Sequence, residues 1–310
     1  MTDVLDQGHD DLRTQSTDPV QADGAAGNTV IDLSSLLPRG GTRPMASVIM
    51  ATNKSPEAIA PALRALQEQT YRPMEIVVAV DRPVSDPEKL VFQKLYPGVI
   101  FEFLGEVRRI PVALNAAIAR SSGALLVRCD DDDVCLPDRV EKQYRLLVTK
   151  RLDFVWSQAT GKREGDEGGW LIDCPDDDEE IKRALLGRNV LVHSTLTGWK
   201  AAFARIGNYN PGFYRAQDLE LYLRAMRGGL KFGAVKEQLV ERYYSAGSVT
   251  VRHRKNQIMY SFAARVLHAA HTNDAHYLVG VTLRYMLLLL TPNWVRSLVR
   301  TLSRMTGRGR

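Results

Sequence analysis

The chain of 310 residues is 45% hydrophobic and 25% charged, a balance that suits one large α/β domain with appendages or two smaller domains and excludes a disordered or fibrous protein. Its net charge of +5 comes from six arginines after Asp274, since the remaining residues sum to −1. No basic face with interleaved aromatic residues occurs, so no nucleic-acid partner is expected. Three cysteines without a CxxC pair argue against a disulfide framework and a structural zinc site, and favour a reducing, cytoplasmic location.

Residues 1–42 are rich in Asp, Gln, Gly, Ser and Thr and have little periodic apolar content. This composition predicts a mobile N-terminal extension. The segment does not begin with a charged region leading into an apolar run, so no secretory signal is expected.

From Ala46 onward, apolar runs alternate with helical segments. The predicted strands are ASVIMAT, EIVVAVD, VIFEFL and ALLVRCD, and the helices between them are SPEAIAPALRALQEQ, DPEKLVFQKL and PVALNAAIARSSG. A cap residue and a first-turn proline begin the first two helices, Ser55 and Pro56 in the first case. This alternation predicts a parallel, doubly wound sheet. The strands end near Thr52, Asn53, Asp81 and Asp130, which we therefore expect at one rim of the sheet, where such sheets bind ligands.

Four consecutive aspartates, Asp130 to Asp133, follow the fourth strand. Burying four adjacent carboxylates would be very costly, so the run is either a solvated loop or a site neutralised by a cation. The strand before it, and Pro137 as the expected first residue of the next helix, favour a cation. Carboxylate oxygens suit Mg²⁺ or Mn²⁺, which also take a substrate phosphate as a ligand. No GxGxxG or GxxxxGK[ST] loop occurs, which makes a metal the expected partner of a diphosphate.

Two long segments carry a resemblance to a known family. They are SVIMATNKSPEAIAPALRALQEQTYRPMEIVVAVD and RIPVALNAAIARSSGALLVRCDDDDVCLPDRVEKQ. Together they resemble the family 2 glycosyltransferases of the GT-A fold, over roughly residues 45–250. The resemblance implies a Rossmann-like, mostly parallel sheet flanked by helices, with a helical C-terminal extension. It also implies transfer of a sugar from a nucleotide-diphosphate donor with inversion of configuration.

The resemblance also assigns roles at the rim. Thr52, with Asn53 beside it, and Asp81 look like contacts to the base and ribose of the donor, and Arg109 resembles a basic residue near the base or phosphates. From the residues alone, Thr52 could equally satisfy a backbone group at the strand end, and Arg108 is as good a candidate as Arg109.

Within the acidic run, the resemblance makes Asp130 a contact to ribose and metal, Asp131 a donor contact, and Asp132 a ligand of Mn²⁺ or Mg²⁺. A run of four aspartates permits a shift by one residue. The main ligand among Asp131, Asp132 and Asp133 therefore stays open, with Asp133 as the weaker candidate.

Downstream of the acidic run, DRVEKQYRLLVTK predicts a helix, FVWSQAT a fifth strand, and CPDDDEE a helix start capped by Asp176 or Asp177. Asp218 opens a Leu-rich helix and resembles the family's general base, although an isolated Asp there would more often cap the helix. His193, in the predicted strand VLVHSTL, is a weaker candidate for the acceptor site, because a lone strand histidine is more often structural.

The segment ERYYSAGSVTVR resembles a family stretch in which Arg242, Ser248 and Thr250 are in register, and Tyr244 stands where many relatives have His. A histidine ligand to the metal is therefore doubtful, and Arg242 is a candidate phosphate contact or conformational anchor. No QxxRW motif and no set of membrane spans occurs, so transfer of one sugar per encounter is expected rather than polymerisation.

The C-terminal segment is apolar and basic. HYLVGVTLRYMLLLL is interrupted by Arg284 and is too short to span a bilayer, which takes about twenty residues. After Pro292, an apolar face runs beside arginines at every fourth position, Arg296, Arg300, Arg304 and Arg308. This pattern favours a helix on an anionic membrane surface, and a helix docked on the catalytic domain or on a second copy in a homo-oligomer is the alternative.

The sequence thus predicts an extension (1–42), a catalytic domain (43–252) with a nucleotide-sugar half (43–135) and an acceptor half (136–252), and C-terminal helices (253–310). The expected function is metal-assisted transfer of one sugar, with UDP favoured as the nucleotide, to a glycan or lipid-linked glycan in bacterial envelope or polysaccharide synthesis. The expected location is cytoplasmic, peripheral on the inner face of the membrane. A non-catalytic nucleotide-binding module and a nucleotidyltransferase are the alternatives.

Overall fold

The computed structural model describes residues 43–163, 168–244 and 254–290. The predictions for residues 1–42, for Ser248 and Thr250, and for the arginines from Arg296 onward lie outside these residues. The strands are β1 Ala46–Thr52, β2 Met74–Val80, β3 Val99–Phe103, β4 Leu125–Arg128, β5 Asp133–Cys135, β6 Phe154–Arg163, β7 Trp170–Ile172, β8 Thr197–Trp199 and β9 Phe232–Tyr244. The helices are α1 Ala60–Gln67, α2 Asp86–Leu95, α3 Ile110–Arg120, α4 Arg139–Lys150, α5 Asp178–Gly187, α6 Lys200–Arg205, α7 Gln217–Arg227, α8 Arg254–Thr272 and α9 Ala275–Leu290.

All nine described strands belong to one sheet, in the order β3-β2-β1-β4-β8-β6-β9-β5, with β7 beside β6. The strands β1 to β4 pair in parallel, which confirms the sequence prediction for this half. Beyond β4, the strand β8 is antiparallel to both of its neighbours, and β5 is antiparallel to β9. The α/β fold class is as predicted. The alternation of strands and helices did not predict the antiparallel strands.

Several helix starts follow local chemistry. Ser85 caps α2 by accepting a hydrogen bond from the Glu88 amide, and Asp177 caps α5, as expected. The prediction that the first helix begins at Ser55 and Pro56 is wrong, because the Pro56 carbonyl accepts a hydrogen bond from the Tyr96 hydroxyl (2.6 Å) and α1 begins only at Ala60.

Two further local predictions are wrong. Pro137 does not begin a helix, since its carbonyl accepts from the Thr70 amide (2.8 Å), and α4 begins at Arg139. His193 lies in a short 3-10 helix, His193–Thr195, and not in a strand.

The apolar core beyond β4 fixes the position of α7. The Trp156 ring packs edge-on against Tyr222 of α7 (centroids 5.0 Å apart) and against Phe232 of β9 (5.3 Å), and all three side chains are fully buried. Burying a large apolar side chain stabilises the fold by about 1.5–3 kcal/mol. The middle of α7 is therefore packed against the sheet.

The helices α8 and α9 pack on this part of the molecule. The buried Arg265 of α8 donates to the carbonyls of Leu185 and Leu186 at the end of α5, and to the Tyr285 hydroxyl of α9. Tyr260 of α8 packs against Tyr214, near the start of α7. Within the described ranges, no helix combines the length and apolar character needed to cross a membrane.

Candidate active site

The polar residues predicted for one rim of the sheet do meet there. The Asp81 amide donates to the Thr52 carbonyl (2.7 Å), which links the ends of β2 and β1. The Thr52 hydroxyl donates to an Asp131 carboxylate oxygen (2.6 Å), which links β1 to the acidic run after β4. Because these strands are parallel, their carboxyl ends form one ligand-binding edge.

Three of the four aspartates form a group that suits a divalent cation. One carboxylate oxygen from each of Asp130, Asp132 and Asp133 lies within 4.8 Å of the others. Asp133 belongs to β5 and is buried, and neither of its oxygens has a hydrogen-bond partner of good geometry among the described residues. Burial, with the Asp130 carboxylate beside it, raises the pKa of Asp133 to about 8. A buried carboxylate without a hydrogen bond of good geometry lies here beside two others, and a hard cation would compensate their charge, so these residues fit Mg²⁺ or Mn²⁺.

Asp131 is not a member of this group, although it shares the Lys54 ammonium group with Asp132. Its carboxylate accepts from Thr52 and forms an ion pair with the Lys54 ammonium group (2.9 Å), which also lies 3.4 Å from Asp132. The sequence analysis missed Lys54, although a lysine two residues after the strand-end threonine in ATNK is a usable signal for an anion site. Because Asp131 pairs with Thr52 and Lys54, the other three aspartates of the run are the ones grouped for a cation.

Two arginines, the buried Arg128 and the partly exposed Arg242, lie beside the acidic group. Arg128 at the end of β4 is only 3% exposed, and its guanidinium is 2.5 Å from an Asp130 oxygen. Burial alone would lower the pKa of Arg128, but the Asp130 carboxylate more than offsets this, so the pKa is raised and the group stays charged. Arg242 of β9 pairs in register with Asp133 of β5. The sequence analysis did not single out Arg128, although a charged residue inside the apolar run ALLVRCD is a usable signal for a buried ion pair.

The loop that carries the aspartates rests on Arg139 of α4, which is fully buried. Its guanidinium donates to the Arg128 carbonyl (2.8 Å), to Cys135 Sγ (2.9 Å) and to the Gln143 amide oxygen (3.1 Å). One side chain thus joins the end of β4 to the end of β5, on either side of the aspartates. The rigidity of this loop favours a preorganised metal site.

Asp81 and Arg109 are joined through the backbone. The buried Asp81 carboxylate accepts from the amides of Arg108 (2.5 Å) and Arg109 (2.9 Å). Arg109 has a positive φ of 75°, and its exposed guanidinium lies over the Tyr214 ring, 4.1 Å from the centroid. Asp81 therefore shapes the loop that presents Arg109, while Asn53 is exposed at the rim.

Asp218 lies in the first turn of α7. The N-cap position belongs to Ala216, and the Asp218 carboxylate accepts hydrogen bonds from the first-turn amides of Asp218 and Leu219. The Asn189 amide donates to its carboxylate (2.7 Å). Burial raises the pKa of Asp218, and this effect outweighs the opposing hydrogen bonds from Asn189 and from backbone amides. A carboxylate with a raised pKa, held by one side-chain amide, suits a general base.

His193 and Arg242 have different surroundings. His193 is buried, and its Nε2 lies 2.8 Å from the Tyr209 hydroxyl. Burial and the charges of Arg128 and Arg242 lower the pKa of His193 well below its ordinary value, so the ring stays neutral. Arg242 stacks on Tyr244, 5.3 Å from the ring centroid, and its positive charge faces Asp130 and Asp133.

Comparison with known proteins identifies the family. The family model "Glycosyl transferase family 2" matches residues 47–205. The amylovoran biosynthesis glycosyltransferase AmsE of Erwinia amylovora is 31% identical over 218 residues, which cover 68% of this chain and 80% of AmsE. The O-antigen biosynthesis glycosyltransferase WbnJ of Escherichia coli is 29% identical over 189 residues, 59% of this chain and 72% of WbnJ.

Among solved structures, the chain is similar to S. aureus TarS 1-349 in complex with UDP, with a TM-score of 0.57 and 13% identity, over 81% of this chain and 77% of that one. It spans 39% of the longer TarS chain. At this identity, the likeness shows the fold.

Proposed function

Because the chain belongs to glycosyl transferase family 2, we propose that it moves one sugar at a time from a UDP-activated donor to a hydroxyl group, with inversion and with Mn²⁺ or Mg²⁺ as cofactor. The observation that carries the cofactor is the group of three carboxylate oxygens within 4.8 Å, one of them from a buried, unpartnered Asp133. AmsE and WbnJ are named for polysaccharide and O-antigen synthesis, which supports a glycan or lipid-linked glycan as the acceptor.

Asp130, Asp132 and Asp133 would hold the cation, which when bound neutralises the diphosphate that leaves with the nucleotide. Lys54, beside Asp131 and Asp132, offers a further positive charge for the diphosphate. Thr52, Asn53, Asp81 and Arg109 border the same rim and would bind the nucleoside.

Asp218 would remove the proton of the acceptor hydroxyl as its oxygen attacks the anomeric carbon from the face opposite the leaving group. The hydrogen bond from Asn189 orients the carboxylate without protonating it. Membership of this family leaves the nucleotidyltransferase alternative without support, whereas the non-catalytic alternative requires that the purified protein binds a nucleotide sugar and does not turn it over.

The test is turnover and binding of a panel of nucleotide sugars by the full chain, with Mn²⁺, with Mg²⁺ and with EDTA. We expect metal-dependent binding that Asp132→Ala abolishes, and turnover that Asp218→Asn lowers by at least 100-fold with binding retained. The matched control is Asp86→Asn on the exposed start of α2, which should behave as wild type. Binding that is the same in EDTA, or full turnover by Asp218→Asn, would refute the proposal.

A further inference from the structure

A buried amide in α4 joins two parts of the candidate active site that are far apart in the sequence. Gln143 is fully buried, and its side-chain oxygen accepts hydrogen bonds from Arg139 Nε (3.1 Å) and from the Thr197 hydroxyl (2.7 Å). Its side-chain nitrogen donates to the carbonyls of Thr195 (2.7 Å) and Val155 (3.4 Å). Because the oxygen has two donors and the nitrogen has two acceptors, the orientation of this amide is fixed.

The first connection from this amide runs through Arg139. Gln143 lies four residues after Arg139, so both side chains leave α4 on the same face. The Arg139 guanidinium donates to Cys135 Sγ (2.9 Å) in β5. Cys135 follows Asp133 by two residues and therefore lies on the same face of that strand. The connection thus ends at the strand that carries Asp133.

The second connection runs through the short 3-10 helix His193–Thr195, whose last carbonyl accepts from Gln143. Ser194 in this helix is fully buried, and its hydroxyl has no hydrogen bond of good geometry among the described residues. This hydroxyl lies against the Asp133 carboxylate, since burial raises the pKa of Asp133 and the Ser194 hydroxyl opposes that rise. Both connections from Gln143 therefore meet at Asp133.

Packing alone does not explain a polar side chain at this position. Arg139, Thr195 and Thr197 are as fully buried as Gln143, so the amide has given up all of its contact with water. An apolar side chain of similar volume, such as methionine, would fill the same space. What the amide adds is one fixed arrangement of the groups that it joins.

We propose that Gln143 is a positioning residue for the cation. Its two connections hold Asp133 where the carboxylate meets those of Asp130 and Asp132. Loss of a group that orients a metal ligand from outside the coordination shell lowers metal affinity about 10- to 100-fold. This role of Gln143 rests on the proposed function, because it takes a divalent cation as the occupant of the acidic group.

The test is Mn²⁺ binding to the full chain, measured by titration calorimetry on wild type, Gln143→Met, Asp133→Asn and the double variant. We expect Gln143→Met to weaken Mn²⁺ binding about 10- to 100-fold. In the Asp133→Asn protein, the same change should weaken it by less than about threefold, because the carboxylate that Gln143 positions is already absent. A residue with a purely structural role would weaken binding by the same factor in both backgrounds.

The matched control is Tyr71→Phe. Tyr71 is fully buried against Tyr144 of α4 (ring centroids 5.1 Å apart), and its hydroxyl donates to the Pro44 carbonyl (2.6 Å). This variant loses one buried hydrogen bond beside the same helix and leaves both connections in place, so its Mn²⁺ affinity should stay within about twofold of wild type. Equilibrium unfolding in urea with EDTA checks that each variant is folded under the conditions of the assay.

Two results would overturn this role of Gln143: a Gln143→Met protein with wild-type Mn²⁺ affinity, and a loss of equal size in the wild-type and Asp133→Asn backgrounds. If Gln143→Met does not fold, Ser194→Ala decides the question, because it removes only the hydroxyl beside Asp133. It should weaken Mn²⁺ binding about tenfold, and wild-type affinity in this variant would overturn the proposal. Wild-type protein that binds no Mn²⁺ would refute the proposed cofactor, and the role of Gln143 with it.

Discussion

Removal of the Arg128 guanidinium probes how the acidic group is held together before any metal binds. Arg128→Met keeps most of the apolar volume and removes the guanidinium 2.5 Å from the Asp130 carboxylate, which leaves the charge of Arg242 to face it. Breaking a buried ion pair costs about 3–5 kcal/mol. The Asp130 side chain is 26% exposed, so water compensates part of the loss, and we expect the free energy of unfolding to fall by about 2–3 kcal/mol.

The second variant, Arg128→Met with Asp130→Asn, removes the uncompensated carboxylate as well. It should be about 1–2 kcal/mol more stable than Arg128→Met alone, because the cost lies in the unpaired charge and not in lost packing. The control is Arg120→Met, since Arg120 is exposed and its guanidinium lies 4.0 Å from Glu102, at the outer limit of an ion pair. We expect this variant to change the free energy of unfolding by less than about 0.5 kcal/mol.

The assay is equilibrium unfolding in urea with EDTA present, where a lower midpoint with an unchanged slope reports a change in stability. A double variant no more stable than Arg128→Met would refute the reasoning, because the loss would then come from packing. A loss equal to that of Arg120→Met would also refute it, since the ion pair would then contribute nothing measurable.

Three further predictions follow from the site. Asn189→Ala removes a hydrogen bond to the ionised form of Asp218, so the pKa of Asp218 should rise and kcat/KM on the acid side of the pH profile should fall about tenfold; an unchanged profile would contradict the role of Asn189. Lys54→Met should weaken UDP binding in the presence of Mn²⁺ about tenfold, with Lys54→Arg retaining most of it, as titration calorimetry would show; equal affinity in both variants would contradict the placement of Lys54. Because the pKa of Asp133 is about 8 in the folded, metal-free protein and 3.8 ordinarily, the folded state holds a proton between about pH 4 and pH 8 that the unfolded state has released. The free energy of unfolding should therefore fall as the pH rises from about 4 to 8. Asp133→Asn should flatten this decline, measured by urea unfolding in EDTA at several pH values, and an unchanged decline would contradict the reasoning.

The part of the sheet from β1 to β4 was predictable because the rules that form it are local. The parallel strands are mostly apolar runs, and Ser85 caps α2 by a hydrogen bond to an amide three residues away. The start of α1 was not predictable, since it depends on a hydrogen bond between the Pro56 carbonyl and the distant Tyr96 hydroxyl.

The arrangement of the four aspartates could not be predicted from the sequence, since all four are the same residue type in succession. Their directions are set by distant partners: Thr52 and Lys54 bind Asp131, and pairing of β5 with β9 buries Asp133 opposite Arg242. The domain boundaries at 43 and 252, and the catalytic and binding roles of the individual residues, stay predictions.

Binding of Mn²⁺ and UDP to the full chain, measured by calorimetry on wild type and on single variants of the four aspartates, tests the proposed metal site most directly. Asp130→Asn, Asp132→Asn and Asp133→Asn should each weaken Mn²⁺ binding at least tenfold, as loss of one carboxylate ligand does. Asp131→Asn should retain metal binding, because its carboxylate pairs with Thr52 and Lys54. Mn²⁺ binding lost in Asp131→Asn and kept in Asp133→Asn would contradict the assignment of the cation to Asp130, Asp132 and Asp133.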